Sequence, residues 1–220
     1  MLGDYCYWND TVNGIPQRMV SPQAYVVGLM ANLAPQHSTL NKRLTAIVGT
    51  QQSLTGLPYT CADLQSLAGA GIDVICNPNP GGNYFGCRNG RNASSNPAVH
   101  GDNYTRMTNY IATTLAAGMG IYVGKLQSKQ PGDPTRRQAK ATIDSFLAAL
   151  KAPVAANQLG MIDDFATQLD LTNNTNDRIA LGYMQADVQV SYLSVIEFFI
   201  INLEGGQTVT VQRAQTQLAA

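Results

Sequence analysis

Residues 60–82 read TCADLQSLAGAGIDVICNPNPGG, and the change of period inside them sets the fold class. Thr60 followed three residues later by Asp63 resembles a capping box, in which two side chains satisfy backbone N–H groups at a helix start. Leu64 and Leu67 recur at helical spacing, and Gly69 and Gly71 end the segment. Ile72-Asp73-Val74-Ile75-Cys76 then reads as a strand, broken by Pro78, Pro80, Gly81 and Gly82.

The same alternation of short strands and helices extends in both directions. Toward the N-terminus, Tyr5–Trp8 is aromatic and extended, and Asn13-Gly14 is a turn signal, so residues 3–20 read as a hairpin or long turn. Ser21-Pro22 starts a helix with Tyr25, Val26, Leu29, Met30 and Leu33 on one stripe, and Pro35 stops it. Leu44–Gly49 reads as a short buried strand. Toward the C-terminus, Tyr84–Arg88 is an extended piece and residues 89–102 form a polar surface loop. Asp102 is expected to cap a long helix reaching about Lys125. Asp133-Pro134 opens another, with Ile143, Phe146, Leu147 and Leu150 on its apolar side. The β-branched stretches Ile162–Leu171, Ile179–Val190 and Val195–Leu203 read as strands. Gly205-Gly206 is a further turn, and Thr208-Val209-Thr210-Val211 alternates as one more strand. The expectation is an α+β fold, a mixed sheet flanked by helices, with an extended C-terminal β-arm. The core domain spans residues 1–204 and the linker arm 205–220.

Composition narrows the function. The chain has 220 residues, 45% of them hydrophobic, enough for a sizeable core. Lys plus Arg equals Asp plus Glu at 14 each, and only 13% of residues are charged, too few for a nucleic-acid surface. A polar, uncharged exterior at net charge zero tends to associate, which favours a subunit of an assembly. The longest apolar stretch, Val188–Leu203, is interrupted by Gln189, Ser191, Ser194 and Glu197, so no membrane span is expected; the start has no basic or apolar leader region. Cys6, Cys61, Cys76 and Cys87 lack metal-ligand spacing; buried free thiols are favoured over a disulfide such as Cys76 with Cys87 or Cys6.

No motif points to bond-making chemistry, and no cofactor is expected. Gly69-Ala70-Gly71 follows a helix instead of opening one, and Gly118-Met119-Gly120 sits inside a helix. Pro80-Gly81-Gly82 lacks the Lys-Ser/Thr ending of a phosphate loop. Asp163 and Asp164, on a strand, face opposite sides and cannot act together as acid and base. Asp170 adds a further carboxylate nearby. His100, near Asp102, has no activated serine, and the sequons at Asn9, Asn92, Asn103 and Asn173 reflect Asn/Thr-rich loops. One placement is unusual. Arg136, Arg137 and Lys140 crowd a helix N-terminus, where an exposed cation costs roughly 0.3–1 kcal/mol against the dipole.

The order of these pieces resembles contractile tail sheath proteins of bacterial viruses and the related sheaths of contractile bacteriocins and type VI secretion. The matching pieces are GDYCYWNDTVNG, VSPQAYVVGLMA, TCADLQSLAGAGIDVICNPNPGG, DNYTRMTNYI, ATIDSFLAAL and DDFATQLDLTNNTNDRIALGYMQADVQV. Family members are usually longer, with an N-terminal arm and outer domains, so residue 1 is not expected to mark the start of a full-length subunit. The resemblance implies a non-enzymatic virion subunit. It stacks in rings around a tail tube, linked by terminal arms that add strands to neighbours' sheets, and it meets baseplate and tail terminator proteins. Carried onto this sequence, the hinge falls on Gly205 and Gly206, the arm on Gln207–Val211, the receiving edge within 179–203, and the tube-facing charges on Arg136, Arg137 and Lys140. The rivals are another self-assembling virion component (tube, baseplate or capsid-associated) and an α/β enzyme using Asp73 or Asp163.

Overall fold

A computed structural model of the chain describes residues 2–96, 99–155, 158–201 and 203. Its elements run β1 (Leu2–Gly3), β2 (Cys6–Asp10), β3 (Ile15–Val20), α1 (Pro22–Asn32), β4 (Ile47–Thr50), α2 (Cys61–Gly69), β5 (Asp73–Cys76), β6 (Gly86–Cys87), α3 (Asp102–Met119), α4 (Pro134–Lys151), β7 (Asp164–Gln168), α5 (Asn176–Ala180) and β8 (Asp187–Ser191). The α+β class stands. The expected single mixed sheet is replaced, among the described residues, by three small ones ordered β1-β5-β6, β3-β2-β4 and β7-β8.

The capping box forms as its residue types dictate. Thr60 Oγ1 accepts from Asp63 N at 3.2 Å, and Asp63 Oδ2 accepts from Thr60 N at 3.0 Å. After α2, the four residues of β5 are all buried, with β1 parallel on one side and β6 antiparallel on the other. Ile75, Cys6, Val26, Leu44 and Cys87 close one apolar core. The hairpin of β2 and β3 is antiparallel, and Asp10 ties its turn through Asn13 Nδ2 at 2.7 Å and Arg18 at 2.9 Å.

A second core lies between α3, α4 and the β7–β8 ribbon. Met107 and Ile111 meet Ile143, Leu147, Leu150 and Ile162, with Phe165, Val188 and Val190 packed against them from the ribbon. Asp133 caps α4 by accepting from Arg136 N at 3.1 Å. The two cores are joined at α3. Arg106 donates to the carbonyls of Met30 and Leu33, covering the unpaired C-terminal end of α1, and to His37 O at 3.0 Å.

Three expectations are corrected. Gly101, not Asp102, is the residue before α3; Asp102 is inside the first turn and accepts from Thr39 N at 2.9 Å and Thr39 Oγ1 at 2.7 Å. The helix ends at Met119, with a 3-10 turn over Gly120–Tyr122. In the last third, Ile179 lies in the short helix α5, and residues 195–201 and 203 form no strand among the described residues. The arm, 205–220, and its hinge at Gly205 and Gly206 lie outside the described residues.

Candidate intersubunit surface

The β7–β8 ribbon has the features of a strand acceptor. Its register runs from Asp164 opposite Ser191 to Gln168 opposite Asp187. Phe165, Val188 and Val190 face the helices, so the register cannot slip by one residue without exposing them. Among the described residues neither outer edge carries a further strand, leaving rows of backbone donors and acceptors at both margins. The ribbon is held from outside by Lys151, whose ammonium reaches Asp164 Oδ1 at 2.8 Å and draws that carboxyl below its ordinary range. The turn between the strands is fixed by Asn174, fully buried, whose amide donates to Asp170 O at 3.1 Å and Gln185 O at 2.8 Å.

Directly after the ribbon the chain leaves the core. Tyr192 still belongs to it, stacked on Tyr104 with ring centroids 5.8 Å apart and its hydroxyl 2.7 Å from Thr108 Oγ1. Beyond it, Ile196, Phe198, Phe199, Ile200, Ile201 and Leu203 are each at least 73% exposed. Leaving six such side chains in water forgoes on the order of 10 kcal/mol of burial free energy. An apolar run of this length exposed on a polar protein marks an interaction surface.

One residue interrupts that run and holds it. Glu197 accepts from Arg91 Nη2 at 2.6 Å, and its other oxygen stands 3.6 Å from His100 Nδ1. Sequence reasoning missed this cluster, because Glu197 is distant in sequence from both partners and no local spacing relates them.

The three expected tube-facing cations separate. Arg136 is buried, donating to Ser128 O at 2.7 Å and lying 4.0 Å from Asp133. It serves the fold and is not on the surface, which explains a cation at a helix N-terminus without any partner. Arg137 is exposed, and Lys140 pairs with Asp144 at 2.7 Å one turn on.

The carboxylates considered for catalysis are structural. Asp73 is buried, which pushes its carboxyl up, and it accepts from the backbone N of Asn89 and of Gly90, each at 2.9 Å. Asp164 is taken up by Lys151, whose ammonium Asp163 also influences. All four cysteines are free. Cys6, Cys76 and Cys87 are buried and Cys61 is exposed, and burial raises the Cys6 thiol to about 12 and the Cys76 thiol to about 11. Among the described residues no group of His, Cys, Asp and Glu could hold a metal ion, and no helix is long and apolar enough to cross a membrane.

Solved structures with this arrangement come from contractile injection machines. The helical sheath of the anti-feeding prophage (AFP) in its contracted state superposes with a TM-score of 0.71 at 15% identity, over 93% of this chain and 55% of that one. The fold is that of contractile sheath proteins. Two further neighbours agree. They are the AFP baseplate in six-fold symmetrised form (TM-score 0.69, 16% identity, 86% of this chain and 51% of that one) and the contracted PVC sheath complex of an extracellular contractile injection system (0.68, 14%, 88% and 53%). The chain therefore spans about half the length of these neighbours. No protein-family model and no curated protein matches the sequence.

Proposed function

We propose that the chain is a structural subunit of a contractile tail sheath. It polymerises around a tail tube and contracts to drive that tube through a bacterial envelope, with no bond-making chemistry. The observation that carries this reading is the juxtaposition of an open-edged ribbon with an apolar terminal segment exposed beside it, within a sheath fold. A subunit that donates its terminal strand to a neighbour's edge buries in the lattice what it exposes alone. Its backbone hydrogen bonds persist while compact bodies swing, as contraction requires.

On this reading the hinge is Gly205 and Gly206, the donated strand includes Thr208, Val209, Thr210 and Val211, and the acceptor is the β7–β8 ribbon. Arg137 and Lys140 contact the tube, and partners at the ends of the stack are baseplate and terminator proteins of the virion tail. Deletion of residues 205–220 is expected to abolish hollow striated sleeves in electron micrographs; normal sleeves would refute the arm. Reversing Arg137 and Lys140 to Glu is expected to lower tube attachment at least tenfold while sleeves form; unchanged attachment would remove their role. The baseplate neighbour favours a second reading, a baseplate component, which predicts rings that never elongate.

A further inference from the structure

We propose that Arg91 and His100 form a clasp for Glu197. The clasp pins the chain ahead of the proposed arm to the body, so that the segment leading to the Gly205-Gly206 hinge departs from Glu197. The proposal rests on the strand-donation reading and specifies the point from which the donated segment departs.

The clasp is built on a rigid neck. Arg91 and Gly101 form an isolated antiparallel bridge, and Asn92 N donates to His100 O at 2.7 Å, so Arg91 and His100 stand side by side where the 89–101 loop closes. Two buried carboxylates fix that neck to the core. Asp73 holds Asn89 N and Gly90 N, while Asp102 holds Thr39 and donates its own N–H to Gly90 O at 3.1 Å. Gly90 sits at φ +59° in contact with residues 38–40; a Cβ there would lie 2.8 Å from Leu40, so only glycine lets the neck close this tightly.

Glu197 enters from the other side with one oxygen on Arg91 and the other facing His100. It and Phe198 border a cavity of about 320 Å³ that Leu64 and Ala68 of α2 and Arg88 also line. Glu197 is 24% exposed and Arg91 32%, so the pair is partly shielded from water, and a charge-assisted bond in that setting is stronger than an exposed one. Immediately after it, Phe198 and Phe199 are 76% and 82% exposed. Glu197 is thus a charged tether inside an otherwise exposed apolar run, with Ile196 77% exposed before it and Phe198 and Phe199 exposed after it. A fixed departure point restricts which neighbouring edge the arm can reach, because the donated strand swings from the clasp.

Chymotryptic cleavage of the unassembled full chain after Leu193 and Phe198, followed by mass spectrometry, tests the clasp independently of sleeve formation. Glu197→Gln keeps the shape of the side chain and is expected to speed cleavage at both bonds at least fivefold with an unchanged melting temperature. Arg91→Glu and Glu197→Arg are each expected to speed it at least tenfold, and the double exchange to return it to within threefold of the parent. Parent-like cleavage of the single variants, or a double variant cut as fast as either single one, would overturn the clasp. Sleeve formation by the 205–220 deletion would overturn the arm and leave the clasp standing.

Discussion

The helix–ribbon core and the segment that follows it have the same chemistry and opposite fates. Met107, Ile111, Ile143, Leu147 and Ile162 are at most 5% exposed, whereas Ile196, Phe198, Phe199, Ile200, Ile201 and Leu203 are at least 73% exposed. Hydrophobicity alone therefore does not decide burial in this molecule. The first group sits on elements whose period presents apolar side chains on one face, opposite another such face. The second group flanks Glu197, whose bond to Arg91 holds the chain at a polar site instead of against an apolar face. What separates them is the availability of a partner surface, and for the second group the proposed surface belongs to another copy.

The comparison breaks most directly with paired substitutions. Leu147→Ala, at a fully buried position, is expected to cost about 2–5 kcal/mol in denaturant unfolding. Phe199→Ser, in the exposed run, is expected to stay within about 0.5 kcal/mol of the parent while sleeve yield falls at least tenfold. A destabilised Phe199→Ser monomer would mean that the run packs on its own body.

A smaller effect tests the helix that organises the first group. Asp133→Ala removes both the α4 cap and the carboxylate beside buried Arg136, and is expected to cost roughly 2–4 kcal/mol, more than a cap alone. A loss below about 1 kcal/mol would show that the carbonyls of Ser128 and Gln130 satisfy the guanidinium unaided.

The smallest effect concerns the carboxylate that pins the clasp's neck. Burial raises Asp73's folded pKa above its unfolded value, so its contribution to stability is fully present below the unfolded pKa and is lost as pH rises through the folded pKa. Asp73→Asn keeps an acceptor for one of the two backbone donors, Asn89 N or Gly90 N, places its NH2 toward the other, and cannot ionise. Its stability relative to the parent is expected to improve as pH rises from about 4, the usual Asp value, toward neutrality. A difference between the two that is flat with pH would show that the two backbone donors fully offset the burial of the charge.

Much of this architecture was legible from local chemistry. The capping box at Thr60 and Asp63, the Asp133-Pro134 helix start, the Asn13-Gly14 turn and the β5 strand depend on contacts within a few residues, which sequence spacing records. The strand expected at 179–190 forms only at its end, where β8 (Asp187–Ser191) begins, and the described residues of 195–203 form none, for one reason. β-branched composition reports that a segment suits a pleated, half-buried surface, not that such a surface is present. Ile179 found a helical turn, and residues 195–201 found no partner strand among the described residues.

Sequence by itself determined the capped helix α2, the Asp133-Pro134 helix start, the hairpin turn and the β5 strand, because these follow from periodicity and side-chain chemistry along the chain. Tertiary structure alone decided that Arg136 turns inward, that Asp102 serves Thr39 and not a helix cap, and that Glu197 meets Arg91 and His100. Each of those outcomes depends on groups that only folding brings within a few ångströms, and electrostatic and hydrogen-bond energies are set by that distance and by burial rather than by separation in sequence.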